Sequence, residues 1–357
     1  PILHAFKNAQ HLRVGVRDLI GKDDIQQTHE ALSNIAEVCL NQVTTAAFQK
    51  VVERFGMPMA EDRECELVIL ALGKLGGREP NYHSDLDIVF LYESAGMTQP
   101  TRRGRESTTN QHFFAQLAQR IIKDMTDFGP YGRLFELDAR LRPSGRSGSL
   151  ALSFVEFERH FSAGEAQLFE RQALCKGRVV YGSPPSAKQV LEIIHRAIIS
   201  PAWRDSHAAE ILRNRLRLEK TATDTNLKRG RGGTVDIEFL VQMLQLKHGE
   251  QFPEILQPGT LDALQNLTKA GLLSAEDAKD LGESYRFLRG IEAKLRLMNT
   301  TKRHDLPTMD QQKNRLAYLL GIDRPDQLES QHRRIAKATR HQFDRFFAAM
   351  IKDRSEV

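Results

Sequence analysis

Leu67-Val-Ile-Leu-Ala-Leu-Gly-Lys-Leu-Gly-Gly-Arg-Glu-Pro-Asn-Tyr-His-Ser-Asp-Leu-Asp-Ile-Val-Phe-Leu-Tyr92 is the stretch on which the fold turns. An apolar run at 66–72 predicts a strand that leads into Gly76 and Gly77. A second run, 85–92, begins with Asp85 and Asp87. Alternate residues of a strand point the same way, so both carboxylates face one small space, where their repulsion favours a cation between them. Ile88 to Leu91 is apolar on both faces, as in a buried central strand, which leaves the carboxylates at the strand's start, open to solvent. Asp-Leu-Asp at a strand start is also ordinary turn chemistry. The glycine pair before it and an acidic strand after it favour a metal site beside a turn that admits phosphate, the equipment of nucleotidyl transfer.

The acidic strand is expected at 133–141, with Glu136, Asp138 and Arg140 on one face and Phe135, Leu137, Ala139 and Leu141 on the other. Asp138 is then the third carboxylate. Transfer of a nucleoside monophosphate from a triphosphate calls for two Mg²⁺ ions about 4 Å apart, with Mn²⁺ as the alternative, and hard cations of this kind take carboxylate ligands. Gly76 and Gly77 permit backbone geometry closed to other residues and close approach of a phosphate, or else form a simple tight turn. Ser84 either donates to a phosphate or caps the strand. Lys74, Arg140 and Arg142 are candidate phosphate ligands, arginine being suited to bidentate contacts; the alternative for each is a salt bridge, including one with the aspartates. Pro143 to Gly148 reads as a loop over the nucleotide. Asp236 and Glu238, two apart on a helix, cannot share a face, and acids at a helix start ordinarily complement its dipole.

Working outward, residues 1–60 read as helical, with a stop and restart at Gly21 to Asp24. Strands at 66–72, 85–92 and 133–141, with a short fourth at 149–153, surround a polar loop at 94–108 and a helix from Gln111 to Met125. That helix has an apolar face of Phe114, Leu117, Ala118, Ile121 and Ile122. From Phe154 onward the pattern is almost wholly helical, with breaks at Pro184-Pro185 and Pro201. The glycine-rich run 228–233 precedes an amphipathic helix carrying Ile237, Leu240, Val241 and Leu244. Further helices are expected at 260–270, 274–299, 309–320 and 325–351. The fold class is α+β: a small mixed-sheet domain followed by a helical bundle. The expected divisions are a helical segment 1–60, a catalytic domain 61–195 and a bundle 196–357.

At 357 residues, two domains are the prior expectation. The chain begins at Pro1 without an initiator Met, and is read as a piece of something larger or a processed chain. No signal peptide is visible, and no apolar stretch reaches the roughly 20 residues that span a bilayer. Three scattered cysteines argue against a disulfide framework and for a reducing cytoplasm. A net charge of +5 over this length is mild, and no stripe of Lys and Arg interleaved with aromatics points to nucleic acid.

Gly73 to Asp87, Glu136 to Gly145, Arg178 to Gly182 and Gly232 to Gln242 together resemble the glutamine synthetase adenylyltransferases, bifunctional adenylyltransferase/adenylyl-removing enzymes of the DNA polymerase β-like nucleotidyltransferase superfamily. The likeness runs from Phe6 to the end of the chain, with Pro80 standing where the family usually has Leu. Such enzymes carry two catalytic halves. Asp138-Ala-Arg-Leu-Arg-Pro-Ser-Gly145, Val179 to Pro184, Arg17 to Gly21 and Val235 to Phe239 look like the adenylylating half; the phosphorolytic, deadenylylating half more often reads DMRLRPFG and IREIEF. The resemblance implies transfer of AMP from ATP to a tyrosine hydroxyl of glutamine synthetase, with release of pyrophosphate and down-regulation of nitrogen assimilation. It implies that Asp85 and Asp87 bind both metals, that Asp138 binds the metal beside the tyrosine oxygen, and that a PII signal protein and glutamine regulate the reaction.

Overall fold

The computed structural model describes residues 2–100, 107–143, 145–298 and 304–352, and the chain divides into two compact units. Residues 1–14 and 29–201 form the first, residues 15–28 and 202–357 the second. Part of the expected loop at 94–108 (101–106), and Ser144 of the loop at 143–148, lie outside the described residues.

The chain starts with helices α1 (Ile2–Leu19) and α2 (Ile25–Phe55), separated by Gly21 at φ +68°. Strands β1 (Met57–Ala60), β2 (Arg63–Glu64), β3 (Leu67–Ala71), β4 (Leu86–Tyr92) and β5 (Thr98–Gln99) follow, with the four-residue helix α3 (Gly73–Gly76) between β3 and β4. After α4 (Asn110–Thr126) come β6 (Leu137–Asp138), β7 (Ala151–Ser153), α5 (Phe154–Ser162), α6 (Leu168–Leu174), β8 (Arg178–Tyr181) and α7 (Pro184–Ile199).

The main sheet of the first unit has the order β6-β4-β3-β8. β3 runs antiparallel to both β4 and β8. The other edge of β4 is shared: its start pairs in parallel with β6 and its end in parallel with β7. Ile88, Val89, Phe90 and Leu91 are all at most 1% exposed, the double-sided burial expected of a central strand. α4 covers the sheet with Phe113, Phe114, Leu117 and Ile121, and Phe114 stacks on Tyr92 at 4.9 Å. The Thr109 hydroxyl caps α4 by accepting from the His112 N–H, and Ser153 and Glu156 make a reciprocal capping box on α5.

Three expectations are corrected here. The strand expected over 133–141 is only Leu137–Asp138, because Arg142 and the turn after Asp138 draw the chain off the edge of β4. The stretch Met57–Ala60, expected helical, is a strand in a small antiparallel sheet, β2-β1-β5. Arg178–Tyr181, in the region read as helical, is a strand of the main sheet.

The second unit is helical: α8 (Asp205–Glu219), α9 (Thr234–His248), α10 (Thr260–Lys269), α11 (Ala275–Leu297), α12 (Asp310–Leu319) and α13 (Pro325–Lys352). α9, expected to be amphipathic, is buried on nearly every side, Asp236 included. Burial pushes the Asp236 carboxyl up, opposed by the charges of Arg215 and Arg340. Arg215 donates to it, and so does the Gly232 N–H at 2.7 Å. Gly232 itself, at φ +77°, packs where a Cβ would lie 1.9 Å from the Ala336 carbonyl of α13. Glu238 accepts from the Tyr285 hydroxyl at 3.1 Å. Both acids are therefore held by partners inside this unit.

Candidate active site

The chain leaves β3, and Leu72 N–H donates to the Asp87 carbonyl at 2.9 Å before the backbone winds into α3. The glycine that makes this possible is Gly73, which the sequence reading passed over. Its φ is +52°, and a Cβ there would lie 2.4 Å from Asp87 Oδ2, so the Asp87 carboxylate rests against the bare Cα.

The glycine pair meets different surroundings at its two positions. A Cβ on Gly76 would lie 1.8 Å from the Lys176 carbonyl oxygen; the close approach is to backbone of the segment preceding β8. Gly77 ends α3 at φ −72°, ψ 0°, a conformation any residue adopts. The N–H groups are committed as well, Gly76 to the Leu72 carbonyl at 2.9 Å and Gly77 to the Gly73 carbonyl at 3.1 Å. Gly76 is therefore a close-packing position.

That packing is fixed by charges the sequence reading gave no role. Arg178 donates to the carbonyls of Gly76 (3.1 Å) and Leu75 (3.0 Å) and to both oxygens of Glu37 on α2 (3.0 and 2.7 Å). Burial would raise the Glu37 carboxyl, but the Arg178 hydrogen bond and charge and the Ser33 hydroxyl outweigh it and hold it below its usual range. Lys176 and Glu79, each with only 9% of its side chain exposed, pair at 2.6 Å. The signal for these residues was long-range pairing between 33–37, 75–79 and 176–178, which local periodicity does not carry. Lys74 lies half-buried on α3.

Between α3 and β4 the chain makes a tight turn. The Asn81 N–H donates to Ser84 Oγ at 2.9 Å and the Ser84 N–H to the Asn81 carbonyl at 3.1 Å, with His83 at φ +54°. Ser84 Oγ thus closes the turn as an acceptor. Asp85 follows, exposed and one residue ahead of β4. Leu86 N–H donates to the Glu136 carbonyl at 2.9 Å, and Asp87 is the register partner of Asp138 across the parallel β4–β6 pair. Neighbouring strands lie about 4.8 Å apart, so these two carboxylates stand side by side.

Asp138 is engaged by Arg140. Its Oδ1 accepts the Arg140 backbone N–H at 2.9 Å, both oxygens accept from Nε at 2.8 Å, and Nη2 adds an ion pair. The Arg140 guanidinium is raised from its ordinary value first by the Asp138 hydrogen bond and charge, and further by the charges of Asp87 and Asp85. One cation thus already feels all three carboxylates. Among the described residues, no three acidic, His or Cys side chains form a ready set of metal ligands, and Asp138 is occupied by Arg140. Arg142 donates to the carbonyls of Ala139, Gly148 (3.2 Å) and Ser149 (2.9 Å). It is a clamp on the loop expected to cover the nucleotide.

A wall of α1 borders this region. His11 meets Phe135 at 5.9 Å and His83 at 6.3 Å, edge to face. Lys7 lies over Phe135 and donates to the Arg133 carbonyl at 3.0 Å. Burial, then the charges of Lys7 and His83, push the His11 imidazole down to about 4.

A small mixed sheet that presents paired strand carboxylates beside a helix-forming glycine turn is the frame expected of a nucleotidyltransferase domain of the polymerase β-like kind. Residues 2–193 match the family model described as glutamate-ammonia ligase adenylyltransferase, and the chain belongs to that family. Residues 205–351 match a second model, GlnD PII-uridylyltransferase. The bifunctional glutamine synthetase adenylyltransferase/adenylyl-removing enzyme of Hahella chejuensis is 32% identical over 327 residues, covering 90% of this chain and 33% of the relative. The enzymes of that name from Thioalkalivibrio sulfidiphilus and Xanthomonas campestris are 31% and 34% identical, covering 97% and 89% of this chain and 36% and 34% of the relatives. The chain spans about a third of the length of these relatives.

Proposed function

We propose that this chain transfers AMP from ATP to a tyrosine hydroxyl of glutamine synthetase, releasing pyrophosphate and lowering nitrogen assimilation. The observation that carries the reading is the juxtaposition of Asp87 and Asp138 in parallel register, with Asp85 two residues before Asp87 and the Arg140 guanidinium drawn to all three. The donor set, Asp138 beside Asp87 with Asp85 two residues before it, suits Mg²⁺ or Mn²⁺ once Arg140 leaves Asp138. Two such ions, when bound, supply neutralisation of the triphosphate and an easier ionisation of the acceptor hydroxyl.

Asp85 and Asp87 would hold both ions; Asp138 would hold the one nearer the acceptor oxygen and take its proton. A phenol with a pKa near 10 needs that help at neutral pH. Gly73 keeps Asp87 in place, and Arg178 and Lys176 hold the α3 turn behind it. Arg140, released from Asp138, is free to meet the triphosphate, with Lys74 as a second phosphate ligand. Arg142 holds the covering loop.

We assign the first unit, 1–14 and 29–201, to catalysis, and the second, 15–28 and 202–357, to a regulatory, substrate-positioning bundle. The match of that bundle to a PII-uridylyltransferase model supports a PII signal protein as its partner. Among the described residues no helix is long and apolar enough to cross a membrane, and we place the reaction in the cytoplasm.

The test is incubation of the chain with α-labelled ATP, Mg²⁺ and unmodified glutamine synthetase. Label on the synthetase is the expected result. No label, together with phosphate-dependent removal of AMP from the modified synthetase, would assign the chain to the deadenylylating half instead.

A further inference from the structure

The first unit contains a cavity of about 550 Å³, within the roughly 300–1,000 Å³ typical of small-molecule sites. It is bounded by Asn41 and Phe48 of α2, by Glu64 and Glu66 ahead of β3, and by Tyr181 and Ser183 where β8 passes into α7. The cavity is separate from the carboxylate site. Leu67 and Tyr181 line it at one end of the β3–β8 pair, whereas Ala71 and Arg178, at the other end, lead to the α3 turn.

Its lining has a definite chemical character. Two carboxylates and two aromatic rings line it, and the described lining residues include no Lys, Arg or His; Arg63, whose charge acts on Glu66, is ion-paired with Glu93. Ser183 donates its hydroxyl to Glu66 and also caps α7 by accepting from the Ser186 N–H, which fixes the carboxylate against a helix start. Burial would raise the Glu66 carboxyl, but the hydrogen bonds from Ser183 and Ser186 and the charge of Arg63 outweigh it, so it is charged at neutral pH. A separate observation comes from α2: Asn41 Oδ1 is buried and accepts no hydrogen bond from the protein. Buried acceptors are ordinarily satisfied, and an N–H donor on a bound molecule would satisfy this one.

We propose that this cavity binds a small organic cation, an ammonium group carried on a flat apolar body. The ammonium N–H groups would be received by Glu66 and Asn41, with Glu64 adding charge, and Phe48 and Tyr181 would offer the aromatic faces that attract a desolvated cation. The assignment stands apart from the transfer reaction and survives its failure.

The test uses the full chain and three matched indoles at pH 7: tryptamine, its neutral alcohol analogue tryptophol, and indole-3-acetate. Binding is followed by protein-observed NMR. Tryptamine is expected to shift resonances of the 64–67 and 180–183 segments and to bind about tenfold more tightly than tryptophol, the worth of one partly desolvated charge contact, with indole-3-acetate weakest. Glu66→Gln should abolish the preference for tryptamine over tryptophol, and Phe48→Leu should weaken both. No tryptamine binding at millimolar concentration, equal binding of the three, a preference for the acetate, or shifts confined to the Asp85–Asp87 region would each overturn the proposal. The parent chain's three affinities decide the matter even if Glu66→Gln does not fold.

Discussion

Replacing Gly73 with alanine separates the positioning of Asp87 from the stability of the fold. An alanine at φ +52° costs about 1–2 kcal/mol in backbone conformation, which lowers the melting midpoint by a few degrees in a unit of this size. The larger effect is local. The new Cβ would lie 2.4 Å from Asp87 Oδ2, and a carbon needs about 3.5 Å, so the carboxylate must retreat by about 1 Å. It can retreat, because Oδ2 is the far end of a side chain. Displacement of a reacting group by about 1 Å is worth roughly 10²-fold in rate. Gly76→Ala should behave in the opposite sense. Its Cβ would meet two backbone carbonyls, Lys176 at 1.8 Å and Ala71 at 2.8 Å, neither able to swing away, and forcing the strands apart costs about 3 kcal/mol or more. Initial rates of label transfer to glutamine synthetase, paired with thermal melts, distinguish the two. A folded Gly73→Ala chain transferring label within about threefold of the parent would refute the placement of Asp87 and the use made of it.

Asp138→Asn should keep the parent's circular dichroism and melting midpoint while transfer falls by about three orders of magnitude or more; an active, folded Asp138→Asn would exclude it as a ligand and base. Arg140→Gln, at an exposed position, should leave the fold unchanged and tighten Mn²⁺ binding several-fold by titration calorimetry, because Asp138 no longer has to release an internal cation; weaker Mn²⁺ binding would be the contrary result. The Glu37 carboxyl is held below its ordinary value by Arg178, so its contribution is present above the unfolded pKa and lost as pH falls through the folded one. Melting midpoints should therefore converge between the parent and Glu37→Gln as pH drops below about 4.5, and a constant gap would contradict the pairing. His11, lowered from 6.5 to about 4, is neutral in the fold, so stability is full above pH 6.5 and falls toward pH 4 as the unfolded chain takes up the proton. A His11 imidazole titrating near 6.5 by NMR would rule this out.

The central strand pair was legible because it is encoded locally. Leu67–Ala71 and Leu86–Tyr92 are apolar throughout and punctuated by turn residues, and α4 shows its stripe and its Thr109 cap. The placing of the carboxylates was legible in combination: Asp85 and Asp87 fall at the start of β4, and Asp138 on the neighbouring strand is in register with Asp87. What stayed hidden depends on partners far along the chain. β8 has a short Val-Val core that reads equally as helix, and only its pairing with β3 makes it a strand. β6 looked nine residues long because Phe135 to Leu141 alternates, but Arg140 turns back onto Asp138 and Arg142 takes the Ala139 carbonyl, so the ladder stops after two residues. Gly76 looked like a phosphate turn because the sequence does not reveal the Lys176 carbonyl that fills its space. Gly73 was overlooked for the same reason, its need being set by Asp87, fourteen positions on.

The measurement that bears most directly on the whole account is the position of bound metal. Crystals grown with Mn²⁺ and a non-hydrolysable ATP analogue should show anomalous peaks within about 2.2 Å of carboxylate oxygens from Asp85, Asp87 and Asp138, with the Arg140 guanidinium moved off Asp138 onto the triphosphate. Ions bound elsewhere, with Asp138 still paired to Arg140, would contradict it.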